Sequence, residues 1–381
     1  MTTEAERHVR VALPGQDYRV RVGRGAVARH LPRIVRRLRP SRLHVVIDSS
    51  VERHHGAAMR EVLAPLGVPF ELTSVPSGER SKSSKELERL WRAMIGAGCD
   101  RASCVLACGG GVVGDLAGFA AATVLRGIRF VQIPTTLLAM VDASVGGKTG
   151  INLVEGKNLV GAFHQPHAVL ADLDLLATLP IREYRAGFAE VIKTAAIRDA
   201  RLFARLETER EALLARDAGV LGAVVARCVR IKADVVEADE REEGLRRVLN
   251  FGHTLAHGIE SVQRYGGLLH GEAVAVGMAF AARLGERVGA TPAGTARRLE
   301  AVLSSYGLPT AVADLRPETL EKAMQKDKKR GRGGVLWVLL RRVGAADAGR
   351  LIEDEAVREE LEQFLAPAMS TRRSTAQGRN R

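Results

Sequence analysis

The sequence predicts an α/β domain over residues 1–178, an all-α domain over residues 179–366 and a disordered basic tail over residues 367–381. In the first part, short β-branched runs alternate with helical patterns, as in a parallel sheet covered by helices. After Leu179 the apolar residues recur with helical periodicity among Ala, Leu, Arg and Glu. The last stretch is polar, basic and of low complexity, which predicts disorder.

The strands of the first domain are predicted from short apolar runs bounded by turn residues. They are Tyr18–Val22, Leu43–Ile47, Phe70–Ser74, Ser103–Cys108, Phe130–Ile133 and Ala168–Ala171. Helices between them are predicted at Ala26–Leu38, Val51–Leu66 and Lys85–Ile95. A later run, Val335–Leu340, fits either a strand or a buried helical turn, because periodicity does not separate the two in a short run.

The composition is that of a globular protein: 381 residues, 46% apolar and 27% charged. The net charge of +13 implies an anionic partner. Aromatic residues make up only 4%, which argues against a surface that stacks single-stranded bases. A nucleic-acid-binding protein stays the alternative from another class, and its sign would be an affinity that falls steeply with salt.

Four cysteines, Cys99, Cys104, Cys108 and Cys228, form no paired motif, and we expect reduced core cysteines. The first thirty residues lack the apolar run of a secretory signal, which predicts a cytoplasmic protein. Residues 105–125 are nearly all apolar. Their glycines and Asp115 nevertheless favour a glycine loop between strand and helix over a membrane span, so no membrane partner is expected.

The glycine-rich stretch Gly109-Gly110-Gly111-Val112-Val113-Gly114 follows a predicted strand and precedes an apolar helix. Glycines let the backbone approach a phosphate there, and the helix N-terminus offers it free N–H groups. The usual ribose-binding acid about 20 residues later is missing. A bound dinucleotide would therefore need Asp48, Glu79 or Lys82 for its ribose, and a plain tight turn is the alternative.

Further polar side chains are grouped with glycines on loops after later strands, where ligands of an α/β sheet bind. They are Thr135, Thr136, Asp142, Lys148, Lys157 and Asn158. The run Gly146-Gly147-Lys148-Thr149 lacks the glycine spacing of a P-loop, so ATP hydrolysis is disfavoured.

In the helical half, Arg246, Asn250, His253 and His257 are spaced four, three and four, which predicts one face of one helix. Such a stripe is too costly to bury without a ligand or a metal. His253 and His257 could chelate zinc together, or each could be a satisfied core histidine.

His270 supplies a third histidine, and Glu190, three residues before Lys193, supplies a carboxylate for the same metal. The alternative for Glu190 and Lys193 is a solvated ion pair on a helix surface.

Taken together, five collinear motifs resemble the 3-dehydroquinate synthase family over about Val20 to Leu340. They are GGGVVGDLAGF, LRGIRFVQIPTTLLAMVDASVGGKTGIN, GKNLVGAFHQP, GFAEVIK and DEREEGLRRVLNFGHTLAHGIE. The resemblance implies the dehydroquinate synthase-like fold, with an N-terminal NAD-binding domain. It also implies a phosphate-eliminating lyase of the shikimate pathway, which works by transient NAD-dependent oxidation, β-elimination, reduction and intramolecular aldol closure.

The resemblance implies that zinc, or cobalt in its place, is held by Glu190, His253 and His270, so that His257 faces the substrate. The residues implied for NAD are Asp48, Glu79, Lys82, Gly110, Gly111, Asp115, Thr135, Thr136, Asp142, Lys148, Lys157 and Asn158. The family often has Asn two residues after Asp48, where this chain has Ser50, which puts one adenine or ribose contact in doubt.

The implied substrate is a phosphorylated sugar acid, 3-deoxy-arabino-heptulosonate 7-phosphate. The residues implied to act on it are Lys148, Lys193, Lys232, Arg246, Asn250 and His257, with one lysine of the 327–329 run, for which we favour Lys329 over Lys328. Arg126 is implied to reach the site of a neighbouring subunit in a homodimer. Converging cations of this kind account for the basic surplus without a nucleic acid.

Two relatives of this chemistry stay open as alternatives. One is a cyclase of secondary metabolism: a 2-epi-5-epi-valiolone synthase is disfavoured, because Arg246 and Asn250 suit a carboxylate that its substrate lacks, whereas an aminodehydroquinate synthase is not. The other is a polyol dehydrogenase on the same scaffold, which is disfavoured because its uncharged substrate would not need these lysines.

Overall fold

The computed structural model describes residues 6–263, 266–328 and 335–377. The chain forms two compact units, the first made of Met1–Gly187 and Ala215–Glu240, the second of Phe188–Leu214 and Arg241–Arg381. The boundary predicted at residue 178 therefore differs from the observed one, and the chain passes twice between the units. Residue 178 ends the last short turn before a long helix, and that helix itself contains the observed boundary.

The elements up to residue 172 are β1 (Arg7–Leu13), β2 (Gln16–Gly23), α1 (Ala26–Leu38), β3 (Leu43–Asp48), α2 (Ser49–Leu63), β4 (Phe70–Val75), α3 (Ser84–Gly96), β5 (Cys104–Gly109), α4 (Gly111–Thr123), β6 (Arg129–Pro134), β7 (Lys148–Leu153), β8 (Gly156–Phe163) and β9 (Val169–Asp172). The later elements are α5 (Ile181–Arg198), α6 (Ala200–Thr208), α7 (Arg210–Leu214), α8 (Ala218–Ala238), α9 (His253–Val262), α10 (His270–Arg287), α11 (Thr295–Ser305), α12 (Pro317–Lys328), β10 (Leu336–Arg342), β11 (Ala345–Leu351) and α13 (Asp354–Gln377).

The first unit is built on a seven-stranded sheet in the order β1-β2-β9-β6-β5-β3-β4. All neighbouring strands are parallel except β1, which pairs antiparallel with β2. The predicted strands and helices of this unit are confirmed, with ends that shift by a few residues. Strand β1 and the β7–β8 hairpin were not predicted, although the strict alternation of buried and exposed residues in β1 is a readable strand signal.

Both faces of the sheet are covered, because successive side chains of a strand point to opposite faces. Val105 and Phe130 pack with α3 and α4 on one face, while Leu106 and Val131 pack with α1 and α2 on the other. The predicted state of the cysteines is confirmed, since all four are buried and free. Burial raises the pKa of Cys104 and of Cys108 to about 12.

The open edge of β1 is covered by two side chains of α8. Arg230 Nη1 donates to the carbonyl of Arg10 at 2.6 Å, and Glu237 Oε1 accepts from the N–H of Ala12 at 2.9 Å. Arg230 and Glu237 also pair with each other at 2.9 Å. The two side chains thus occupy the hydrogen-bonding positions of a neighbouring strand, which blocks edge-to-edge pairing.

The second unit is mainly helical, but it is not all-α as predicted. The run at 335–340 forms strand β10, which pairs with β11 as a hairpin. Helix α13 continues to Gln377, beyond Pro367, where we expected the ordered chain to end. Residues 367–377 contain no glycine, so a helix already formed can extend through them; residues 378–381 lie outside the described part. Within the described residues, no helix is both long and apolar enough to cross a membrane.

Candidate functional site

The predicted stripe does not lie on one helix. Arg246 and Asn250 belong to a short 3₁₀ segment, Leu245–Asn250, and His253 begins α9. Gly252 separates the two with a φ of 82°, and a Cβ there would lie 2.8 Å from the backbone nitrogen of Met278. The left-handed turn and the close packing both require glycine, and they redirect the chain so that the two histidines project from a separate element.

Three helices bring a carboxylate and two imidazoles together. Glu190 comes from α5, while His253 and His270 are the first residues of α9 and α10, and their ligand atoms lie within 4.8 Å of one another. The distances from Glu190 Oε1 are 3.7 Å to His253 Nε2 and 3.8 Å to His270 Nε2. Glu190 is fully buried, and neither of its oxygens accepts a hydrogen bond. A buried carboxylate facing two imidazole nitrogens fits a divalent metal such as zinc.

His257 is not part of this three-residue group. Its ring stands edge-on to that of His253 with the centroids 5.6 Å apart. The chelate of His253 with His257 that spacing alone allowed is therefore replaced by the group with Glu190 and His270.

The two metal-site histidines are oriented from behind. His253 Nδ1 lies 3.3 Å from the carbonyl of Phe251, and His270 Nδ1 lies 3.2 Å from Glu260 Oε1. When each Nδ1–H donates to these oxygens, each Nε2 presents its lone pair toward Glu190. Glu260 was not predicted, although it follows His253 by two helical turns on the same face of α9, which is a readable signal.

The HGE motif has a second local function. Glu272 Oε2 accepts from the N–H of Leu269 at 2.8 Å, which caps the N-terminus of α10. The cap fixes the first turn of α10 and hence the position of His270.

Lys193 lies one helical turn from Glu190, and its ammonium is ion-paired with Glu190 Oε2. Both residues are buried, so the solvated pair that we considered as an alternative is wrong. A buried ammonium beside a buried carboxylate is retained at a cost, which is typical of a site that meets charged ligands.

The 3₁₀ segment before α9 carries two further polar residues. Arg246 is only 2% exposed, and Asn250 Nδ2 donates to Glu242 Oε1 at 2.6 Å. Glu242 was not predicted either; it lies inside the DEREEG part of a motif that we had quoted, and an acid next to a buried amide is detectable only once the loop is folded.

In the first unit, the glycine-rich stretch lies where it was predicted. Gly110 caps α4, which begins at Gly111 and leaves the N–H groups of its first turn free. A Cβ at Gly110 would lie 3.1 Å from Thr136 Cγ2, and one at Gly111 would lie 3.3 Å from the Ala143 side chain. The glycines thus keep open a narrow space beside a helix N-terminus, which fits a dinucleotide phosphate.

A polar network links several predicted dinucleotide-binding residues. Lys82 pairs with Asp115 and donates to Asn158, and Glu79 accepts from Asn152 Nδ2 at 2.7 Å. Burial raises the pKa of Asp115, and the charge of Lys82 opposes that rise. Lys157 lies 3.8 Å from Glu79. Asn152 is a member of this network that the sequence analysis missed.

Asp48 ends β3 and caps α2. Its Oδ1 accepts from the N–H of Ser50 at 2.8 Å and from the hydroxyls of Ser50 and Ser77, each at 2.6 Å. Ser50, where the family often has Asn, thus holds the carboxylate of Asp48 in place.

The remaining predicted residues are placed as follows. Lys232 Nζ donates to the Asp142 carbonyl at 2.6 Å and to its carboxylate at 2.5 Å. Lys148 and Arg126 are exposed, and both Arg126 and Leu125 before it are left-handed, with φ of 67° and 51°. Thr135 and Thr136 directly follow β6. Lys329 lies outside the described residues.

Comparison with known proteins agrees with this arrangement. The sequence model for the 3-dehydroquinate synthase N-terminal region matches residues 72–186, and that for the C-terminal region matches residues 187–330. The 3-dehydroquinate synthase of Xylella fastidiosa strain M12 is 46% identical over 370 residues, which cover 95% of this chain and 100% of that protein.

Two solved structures are also similar. A 2-deoxy-scyllo-inosose synthase complexed with carbaglucose-6-phosphate, NAD⁺ and Co²⁺ has a TM-score of 0.85 and 26% identity, covering 94% of this chain and 100% of the other. The 2-epi-5-epi-valiolone synthase of Streptomyces hygroscopicus, with NAD⁺ and Zn²⁺ bound, has a TM-score of 0.84 and 31% identity, covering 94% and 99%. By sequence and by fold, the chain belongs to the 3-dehydroquinate synthase family.

Proposed function

We propose that this protein is a 3-dehydroquinate synthase, which converts 3-deoxy-D-arabino-heptulosonate 7-phosphate to 3-dehydroquinate and phosphate in the shikimate pathway. It is a phosphate-eliminating lyase with NAD and a divalent metal as cofactors. The observation that carries the proposal is the group of Glu190, His253 and His270 in a chain of this family, because a buried carboxylate facing two imidazoles suits a catalytic metal.

The cofactors have residues that fit them. Glu190, His253 and His270 would hold the metal, and the glycines before α4 with the network around Lys82 would hold NAD. When bound, the metal supplies Lewis acidity to a substrate hydroxyl, and NAD accepts a hydride that is returned within the same cycle.

The side chains of the second unit bind the two ends of the substrate. Arg246 and Asn250 suit the carboxylate, since a guanidinium fork and an amide both donate to it, and Glu242 keeps the Asn250 amide oriented. Lys193 and His257 lie next to the metal group, where they can hold a phosphate oxygen or a substrate hydroxyl in position.

In the first unit, Lys148 and Lys232 add cations for the same anionic substrate, and Asp142 positions the Lys232 ammonium. Lys329 is proposed as a further substrate ligand. Arg126 is proposed to reach the site of a second subunit, and its strained left-handed backbone supports a role that requires a fixed direction. A homodimer and a cytoplasmic location stay predictions.

The test is release of inorganic phosphate from the heptulosonate phosphate with catalytic NAD⁺, before and after complete removal of metal by a chelator. We expect release to stop on chelation and to return with zinc or cobalt. Glu190→Gln should abolish it together with metal binding, whereas Glu355→Gln, a change at an exposed residue, should leave both intact. Release that persists without metal would overturn the assignment.

The same assay separates the alternatives. Sedoheptulose 7-phosphate, the amino analogue of the heptulosonate phosphate and glycerol are offered in turn. The proposal predicts turnover of the heptulosonate phosphate above all three. Faster turnover of the amino analogue would identify an aminodehydroquinate synthase instead.

A further inference from the structure

A basic cavity lies on the β1–β2 hairpin, away from every residue assigned above. Its volume is about 340 Å³, and its lining is Arg10, Asp17, Tyr18, Arg19, Arg21 and Arg37. The first five sequence positions belong to the edge hairpin and Arg37 to the last turn of α1. We call this feature the arginine pocket.

The strand register forces like charges together there. Arg10 stands directly opposite Arg19, and His8 stands opposite Arg21, on one face of the antiparallel pair. Like charges directly opposite each other destabilise a sheet. The buried alternate residues, Val9 and Val20 among them, fix this register, so the arginines cannot move apart by a slip of the strands.

Acidic neighbours do not offset these charges. Asp17, the acid of the lining, is ion-paired with Arg10. Within the described residues, no carboxylate lies within ion-pair distance of Arg19, Arg21 or Arg37. Burial, with the charges of Arg19, Arg37 and Arg33, lowers the pKa of Arg21, while the more distant Glu6 opposes that effect. Three guanidinium groups thus share one concavity without a matched anion.

We propose that the arginine pocket binds a small oxyanion with two or more negative charges, of the pyrophosphate or multiply phosphorylated metabolite class. Guanidinium forks pair bidentately with phosphate oxygens, and a multivalent anion would remove the cross-strand repulsion. The volume lies at the lower end of the range for small-molecule sites, which fits a compact anion. This site does not depend on the proposed synthase activity, since its residues lie on different elements.

Calorimetric titration of the metal- and NAD-loaded protein with inorganic pyrophosphate tests the proposal. Arg19→Gln/Arg21→Gln should weaken binding by about tenfold or more, because each lost charge-assisted hydrogen bond is worth about that factor. The control Arg60→Gln/Arg92→Gln removes two charges from exposed ion pairs on α2 and α3 and should bind as the wild type does.

A second measurement guards against misfolding and against binding at the catalytic site. Pyrophosphate should raise the melting temperature of the wild type and of the control, but not that of Arg19→Gln/Arg21→Gln. Any inhibition of phosphate release by pyrophosphate should be equal in all three. Equal affinity in all three proteins would overturn the proposal, as would binding of duplex DNA but not of pyrophosphate through these arginines.

Discussion

Glu260 Oε1 lies 3.2 Å from Nδ1 of His270, and Glu260 is almost fully buried. A carboxylate behind a metal-binding histidine fixes its ring and its tautomer, and such partners change metal affinity by about 10- to 100-fold. The metal group therefore extends beyond its three predicted members.

The first prediction concerns this pair. Glu260→Leu should weaken zinc binding by about 10- to 100-fold, measured by competition with a chelating dye. Glu260→Gln keeps an acceptor oxygen of the same shape and should retain most of the affinity. Zinc binding by Glu260→Leu equal to that of the exposed control Glu355→Gln would refute the positioning role.

The second prediction concerns the space beside α4. Gly110 has a φ of −72°, which alanine tolerates, but its Cβ would lie 3.1 Å from Thr136 Cγ2. Gly110→Ala should therefore weaken NAD binding by about tenfold or more, with little change in the free energy of unfolding.

Adding Thr136→Ser removes the methyl group that the new Cβ would meet. The double variant should recover any lost stability without recovering NAD affinity. Full recovery of NAD affinity would show that the added Cβ disturbs only Thr136 and not a bound phosphate.

The third prediction concerns the covered edge of β1. Glu237→Ala removes the acceptor for the Ala12 N–H and should lower the free energy of unfolding by about 1 kcal/mol, measured by urea denaturation. Combined with Arg230→Ala, the losses should be less than additive, because the two side chains pair. Strictly additive losses would mean that they act separately.

The fourth prediction concerns pH. Burial first, and then Arg129, His164 and Arg37, lower the pKa of His167 to about 4. Unfolding returns this pKa to about 6.5, so below that pH the unfolded chain binds a proton that the folded chain does not. The free energy of unfolding should therefore fall as the pH drops from about 6.5 to about 4.

Replacing this residue tests the assignment. His167→Asn should flatten the fall by up to about 1.4 kcal/mol per pH unit, as seen in denaturant titrations across this range. An unchanged slope would place the proton uptake on other groups, such as buried His44, whose pKa burial also lowers.

The fifth prediction concerns the thiols. With a pKa of about 12, Cys104 and Cys108 are thiolate at pH 8 in only about one molecule in ten thousand. A thiol reagent should leave the native protein unlabelled and modify all four cysteines after denaturation. Rapid labelling of one native thiol would contradict the burial of the cysteines.

Several features were readable from the sequence because they are local. The strands of the sheet, the glycines before α4 and the cap at Ser83 each depend on neighbouring residues. The break at Gly252 was not readable, since periodicity runs through Phe251 and Gly252 unless the left-handed turn is known. The partners Glu242, Glu260 and Asn152 were missed because single acids and amides carry no pattern.

The sequence by itself determined the fold class, the family and the residue types at the site, because these are written in collinear motifs and in the spacing of apolar residues. Only the tertiary structure decided which histidines meet Glu190. His253 and His257 share a helix, yet His270 joins the group, because contacts between separate helices depend on how those helices pack and not on their spacing along the chain.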